Sequence, residues 1–321
     1  MRGEGEGSAL SVTSSARGWL IFALGSSLCL TAQIASFEVQ EETIVIEEKS
    51  GLRHYLLAEG MDVRSIRISP DGASLIYHLE LAWTSSGQRI PVRLWSPADR
   101  YKVKEYEVPT CSRFLDTVEW VDSRLVLIAG DRCGVVVDTA DGKLQHKILG
   151  SRFAVSPDRN TIAFLEFHPN GTPDYVPDEV HLLWLAPGKL PAGGNVEKID
   201  DRTLRIFPPD PRQILLKAYE DKKPAPGIES GFLWFSDNRR LAFVESHLGK
   251  RWLVLLHLNM AGDTLTADHQ RLELPVPADE PLTREPRLQW TQQDRQVTYA
   301  TGSRTVTVNL PWTSTEPHPE R

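Results

Sequence analysis

The chain has 321 residues, 40% hydrophobic and 25% charged, which suffices for a buried core and excludes a disordered polymer. Its formal charge of −7, with Lys and Arg scattered, excludes nucleic acid as a partner, because that binding needs a basic face. Three cysteines exclude a disulfide scaffold or a Cys-rich zinc protein, and 22 Gly, 22 Pro and 9 Trp without long helical periodicity point to β structure.

Residues 1–17 are polar and end in Arg17; residues 18–35, GWLIFALGSSLCLTAQIA, are apolar with small residues near the end. A positive flank, an apolar stretch and then Ala/Ser form the pattern of a secretory signal peptide, with cleavage after Ala32 or Ala35. The same stretch nearly spans a bilayer, so an uncleaved membrane anchor is the alternative. Cys29 follows Leu28, where a lipoprotein signal has a small residue, which weakens a lipid-anchored reading. On either reading residues 1–36 are an address, the rest of the chain is expected to be periplasmic or secreted, and residues 316–321 form a disordered tail.

Beyond the address, ETIVIEEK (42–49) and GLRHYLLAE (51–59) read as strands. The first clear hairpin is SIRISPDGASLIYHL (65–79). Ile68 ends one strand, Ser69-Pro70-Asp71-Gly72 turns the chain, and Leu75 opens the next strand. Pro presets φ, Asp caps the turn through its side chain, and Gly takes φ > 0. Strands are expected at RIPVRLWSP (89–97) and KVKEYEVP (102–109). TVEWVDSRLVLIAG (117–130) repeats the hairpin around Trp120 with a shorter turn, and residues 134–142 and 143–149 follow, joined by Asp-Gly. RFAVSPDRNTIAFLEF (152–167) repeats it again with Val155, Ser156-Pro157-Asp158-Arg159 and Ile162, and EVHLLWLAPG (179–188) follows. RIFPPDPRQILLKAY (205–219), anchored on Phe207, is an imperfect copy because Ile206 falls on the wrong side of the alternation. GFLWFSDNRRLAFVES (231–246) carries Trp234, Ser236-Asp237 and Leu241, followed by strands at 251–259 and 270–277. RLQWTQQDRQVTYATG (287–302) is a worn copy with Trp290 and Val297, followed by RTVTVNLPW (304–312).

The anchors recur on average about every 44 residues, within the roughly 40–45 of a four-stranded propeller blade. The interval of about 27 residues from Phe207 to Trp234 is too short for four strands with turns. The Phe207 copy is therefore a two-stranded remnant or part of the preceding blade. The last unit lacks a fourth strand, and residues 42–49 or 51–59 are expected to supply it and close the ring, removing exposed sheet edges.

A Ser-Pro-Asp-Gly turn between an aromatic-ended strand and an Ile-Ala-Phe-like strand resembles the WD40-like PD40 repeat of TolB-type periplasmic proteins and of prolyl oligopeptidase propeller domains. The resemblance spans most of residues 42–312, and its specificity sits in Ser69-Pro70-Asp71-Gly72, Ser156-Pro157-Asp158 and Ser236-Asp237. It implies an all-β fold, a β-propeller of four-stranded blades over residues 37–315, with six blades expected and five or seven open. It also implies envelope protein–protein interaction. No TolB-type N-terminal domain fits before residue 60.

No G-x-S-x-G, H-E-x-x-H, Walker loop, EF-hand loop or G-x-G-x-x-G occurs, and no second domain of about 200 residues is left to hold a hydrolase triad. The nine histidines are scattered singly. His168 and His181 flank a loop with Asp174, Asp178 and Glu179, the best local candidate for a cation or ligand; a polar connection between strands is the plainer reading. Asp71, Asp158, Asp210 and Asp237 invite a calcium or acid–base reading, but their own turns account for them. Trp120, Trp234 and Trp290 occupy equivalent strand ends and read as blade-packing residues. Asn170-Gly171-Thr172 is a glycosylation sequon, relevant only in a eukaryotic host. Cys111 precedes one strand of a blade and Cys133 follows the next, which puts both at one end of that blade. With export, this predicts a Cys111–Cys133 disulfide.

The expected function is that of an exported, non-catalytic propeller: a monomer binding an envelope protein or peptide, with no cofactor and no metal. Membrane contact is expected only through an uncleaved N-terminal segment. The alternative is a saccharide lyase or hydrolase with its site at the channel mouth, built on the loop 168–181 and Asp131-Arg132. A weaker reading is a propeller subunit that works with a separate catalytic chain.

Overall fold

A computed structural model describes residues 33–57, 62–80, 91–97, 103–107, 115–169, 172–188, 190–191, 193–277, 287–301 and 304–311. These residues form antiparallel sheets and one α-helix. The first sheet has the order β1 (Ile34–Gln40), β2 (Thr43–Glu48), β3 (Arg53–Leu57). The second runs β4 (Asp62–Ile68), β5 (Leu75–Glu80), β6 (Pro91–Trp95), β7 (Lys104–Glu107). An eight-stranded sheet follows, with β8 (Leu115–Trp120), β9 (Leu125–Gly130), β10 (Cys133–Asp138), β11 (Leu144–Val155), β12 (Thr161–Glu166), β13 (Val180–Trp184), β14 (Glu197–Lys198) and β15 (Thr203–Phe207). Its spatial order is β14-β15-β13-β12-β11-β10-β9-β8. After helix α1 (Pro211–Asp221) come β16 (Gly227–Ile228), β17 (Leu233–Trp234), β18 (Arg240–His247), β19 (Lys250–Ala261) and β20 (Thr264–Pro277). In that sheet β16 and β17 share one edge of β18. The last sheet is β21 (Arg287–Gln292), β22 (Gln296–Ala300), β23 (Thr305–Asn309).

The eight-stranded sheet is two units sharing one strand. Residues 144–149 of β11 pair with β10, and residues 150–155 pair with β12. Gly150 sits at the crossing. A Cβ there would lie 2.6 Å from the Leu165 carbonyl oxygen and 2.7 Å from the Phe164 ring, so the strand passes between units only without a side chain.

Five apolar cores join six consecutive antiparallel units, and this face-to-face stacking of meanders is the packing of a β-propeller. Ile44 and Ile46 of the first sheet pack with Leu75, Tyr77 and Trp95 of the second. Ile76 and Val92 pack with Val118, Trp120 and Val135. Leu127 and Val136 pack with Phe153, Ile162 and Phe164. Leu182, Leu204 and Phe207 pack with Trp234, Phe243 and Val254. Val244, Leu253 and Leu255 pack with Val297 and Tyr299. Middle strands consequently face a core on both sides. In β10, Val135 and Val137 enter one core and Val136 the next, so the strand is an unbroken apolar run.

The anchors pair as the repeat requires. Ile68 faces Leu75, Val155 faces Ile162, Trp234 faces Leu241 and Trp290 faces Val297. Of the two readings of the Phe207 copy the second holds: Thr203–Phe207 belongs to the preceding unit, between β13 and β14, and the chain then turns helical, so residues 205–219 form no hairpin. Asp210 accepts from the Gln213 amide at 3.0 Å, Pro211 opens the helix, and Lys222 ends it in a left-handed conformation. Residues 42–49 and 51–59 do not complete the last sheet. Strand β2 is held on both edges by β1 and β3, and β23 has no further strand neighbour among the described residues. The terminal sheets accordingly hold three strands each rather than four.

The first strand begins inside the segment assigned to the address, because Ile34 is buried with Ile66, Leu75 and Trp95. Residues 1–32 and 312–321 lie outside the described residues, and with them the signal or anchor and the tail. Among the described residues no helix is long and apolar enough to cross a membrane.

Candidate functional site

In the antiparallel units the Ser/Asp turns at 69–74, 156–160 and 236–239 lie at one end, here the turn face, and the connection 167–179 and helix α1 lie at the other, here the loop face. On the turn face, Ser69 donates to Asp71 Oδ1 at 2.6 Å, and the Ala73 amide donates to the same oxygen at 3.0 Å. Ser69 Oγ in turn accepts from the Ser74 amide, and Gly72 takes φ +71°. Ser156, Asp158 and the Thr161 amide repeat the arrangement. Pro70 and Pro157 are exposed at the turn tips. Asp237 accepts from the Arg239 and Arg240 amides, while Ser236 donates instead to Asp294 in the next turn. Burial pulls Asp71 upward, but hydrogen bonds from Ser69, the Ala73 amide and Ser123 outweigh it and hold the carboxyl below the usual range.

Neighbouring turns are also tied to one another. Ser123 bonds Asp71, the Asp158 amide donates to Asn238 Oδ1 at 2.7 Å, and the Ser236 amide donates to Asp294 Oδ1 at 2.9 Å. Behind them the inner strands are clasped. The Trp120 indole donates to the Arg67 carbonyl, Arg159 to the Trp120 carbonyl, the Trp234 indole to the Ala154 carbonyl, and the Trp290 indole to the Trp234 carbonyl. The Ser and Asp side chains of these turns are thus occupied by the fold itself.

The loop face is different. Helix α1 buries Ala218, half-buries Pro211 and Ile214, and leaves Leu216 and Tyr219 53% and 69% exposed. Tyr175 meets Tyr219 edge-on at 5.8 Å. Beside the helix lies a narrow cleft, with room for about one water, between the third and fourth of the strand units that follow the N-terminal sheet. Asp178, Phe207, Ile214, Pro226, Glu245 and Arg271 line it. Asp178 accepts from the Ile228 amide at 2.6 Å, and burial still pushes its carboxyl up. Glu245 is buried and takes both Arg271 bonds, at 3.0 and 3.1 Å; burial raises it while Arg271 pulls it down. Deeper in, buried Arg251 donates to Glu229 at 2.7 Å, Tyr299 donates to the same oxygen at 3.2 Å, and Arg152 donates to the Glu229 carbonyl. Burial and the Glu229 charge push the Tyr299 hydroxyl up.

The structure separates the two loop histidines. His168 lies 3.9 Å from Asp178, on the side of the cleft. His181 is buried on the other side of the sheet, opposite Phe164, with Nε2 3.2 Å from Glu179. Ligand atoms of Glu166, Glu179 and His181 lie within 4.8 Å of one another. The other described histidines are dispersed: His54 belongs to the first sheet, His78 to the second, His146 to β11, and His247, His257 and His269 to the sheet of β18–β20. Asp131 pairs with Arg132 at 3.7 Å in its own turn. Cys133 is buried at the start of β10, and Cys111 lies outside the described residues, as does the sequon pair Asn170-Gly171. The sequence reading missed Glu166, Arg205, Glu245 and Arg251. Their signal was a charge set in or against an apolar strand, as in TLRIF and RWLVLL.

No protein-family model matches the sequence, and no curated protein matches it. Among solved structures the chain is similar to the β-propeller domain of the Trilobed protease from Pyrococcus furiosus, at 14% identity over 86% of this chain and 82% of that one, TM-score 0.43. It is similar to the β-propeller domain of Cps50 (Swd1) from Myceliophteria thermophila, at 13% identity over 90% and 73%, TM-score 0.44. It is also similar to Pyrococcus horikoshii acylaminoacyl peptidase, at 13% identity over 84% of this chain but 42% of that one, TM-score 0.39. The likeness is one of fold, and the propeller assignment rests on the repeated units and alternating cores.

Proposed function

We propose that this propeller is a non-catalytic interaction module and that its loop face receives a protein or peptide. One observation carries the reading: the Ser and Asp side chains of the turn face are taken up by its own hydrogen bonds, while the loop face exposes Leu216 and Tyr219 on a helix beside a narrow cleft. An apolar patch rimmed by polar groups on a rigid disc is the usual form of a docking surface. Leu216→Asp with Tyr219→Asp should leave thermal unfolding unchanged and abolish partner recovery from envelope extracts. Undiminished recovery of the same partner contradicts the proposal.

We further infer a six-unit propeller, exported, with a Cys111–Cys133 disulfide. The six units joined by five cores support the number. Burial of Cys133 supports pairing, and Cys111 is the cysteine left once Cys29 goes with the leader. Cleavage after Ala32 keeps Ile34, whose amide donates to the Gly72 carbonyl at 2.8 Å; cleavage after Ala35 removes it. The intact mass of the exported protein, before and after reduction, tests both. A chain beginning at Gln33 that gains two hydrogens is expected, with roughly 3 kcal/mol of stability lost on reduction. A mass beginning elsewhere, or unchanged on reduction, counts against the corresponding inference.

A further inference from the structure

The loop 168–181 drew attention in the sequence, but the metal chemistry sits at its two roots. Strands β12 and β13 pair with Phe164 opposite His181 and Leu165 opposite Val180. The ladder continues through the Glu166 amide, which donates to the Glu179 carbonyl at 3.0 Å. Glu166 therefore stands opposite Glu179, two residues along the same face from the Phe164–His181 pair. Like charges directly opposite across strands repel.

Charge compensation of this pair falls on Glu179 alone among the described residues. Arg205 is the nearest guanidinium, at 3.7 Å from Glu179, too long for a hydrogen bond. Its donors are committed elsewhere, to Glu197 and to the Pro208 carbonyl at 2.7 Å. Glu166 has no ion-pair partner among the described residues. The imidazole of His181, 5% exposed, is fixed edge-on against Phe164 at 5.5 Å with Nε2 turned to Glu179. Two carboxylates and one oriented imidazole nitrogen, all within 4.8 Å, make a three-ligand set of mixed O and N donors.

We propose that Glu166, Glu179 and His181 bind one divalent first-row transition-metal ion. The nitrogen donor favours such an ion over Ca²⁺, which takes oxygen ligands. Partial exposure of both glutamates leaves the remaining coordination positions to water. The ion removes the cross-strand repulsion and pins both roots of the 167–179 loop, so it stiffens one edge of the loop face.

The test uses the full exported chain, stripped with chelator and titrated with Zn²⁺ by calorimetry, with Ca²⁺ as control. One equivalent of Zn²⁺ is expected, with binding weakened at least about 100-fold in Glu166→Gln and in Glu179→Gln. Zn²⁺ should also slow hydrogen exchange at the Glu166 amide in the unsubstituted protein, a readout that does not depend on the variants folding. Absence of stoichiometric binding, binding by either variant as tight as that of the unsubstituted protein, or unchanged exchange at Glu166 overturns the proposal.

Discussion

Asp71 and Asp178 show the two directions in which a carboxylate responds to this fold. Hydrogen bonds hold Asp71 below the ordinary range, so its contribution to stability is present above the unfolded pKa, about 3.9, and is lost as pH falls through the folded value. Burial raises Asp178, so its contribution is present below about 3.9 and is lost as pH rises through the folded value. In urea titrations across pH, Asp71→Asn should flatten the acid limb below about pH 4, and Asp178→Asn should remove a decline above it. The reverse assignment contradicts both. Trp120 tests the clasp between units. Trp120→Phe keeps most of the buried ring but leaves the Arg67 carbonyl without its donor, at a cost of about 1–3 kcal/mol; Trp120→Ala adds a cavity and costs about 3–5 kcal/mol. Equal losses would show that the indole N–H contributes nothing. The turn residues were legible because Ser, Pro, Asp and Gly act locally. Arg205 and Arg251 were not, because the carboxylates they meet, Glu197 and Glu229, lie 8 and 22 residues away and are brought alongside only by the fold.

At the scale of elements, the strands were readable from two-residue alternation and the hairpins from their turns. The helix was hidden in plain composition. In PRQILLKAYED the apolar run Ile214-Leu215-Leu216 imitates a buried strand, and only Ile214 and Ala218 of this helix turn toward the fold beside Pro211. The overlooked signal was Asp210-Pro211, a side-chain cap followed by a residue preset for the first helical turn. Asp210→Ala should cost about 1 kcal/mol and speed hydrogen exchange at the Gln213 amide. Unchanged exchange there would mean that packing alone holds the helix. Strand β11 was equally deceptive, since one continuous strand serves two units and the boundary at Gly150 carries no turn residue pattern.

For the whole molecule, repeat spacing foretold stacked antiparallel β units but not their ends. The ends depend on which strand finds a partner first. Ile34, at the close of an apolar stretch that reads as a leader, starts a strand that occupies the edge expected to be offered to the last unit. The central claim is that the two faces divide the work, the turn face building the propeller and the loop face meeting a partner. Photo-crosslinking residues placed singly at Leu216, Tyr219, Asn238 and Gln293, in the exporting cell, test it directly. Adducts of one mass at Leu216 and Tyr219, and none at Asn238 and Gln293, are the predicted result. Adducts from the turn-face positions, with none from the helix, would contradict it.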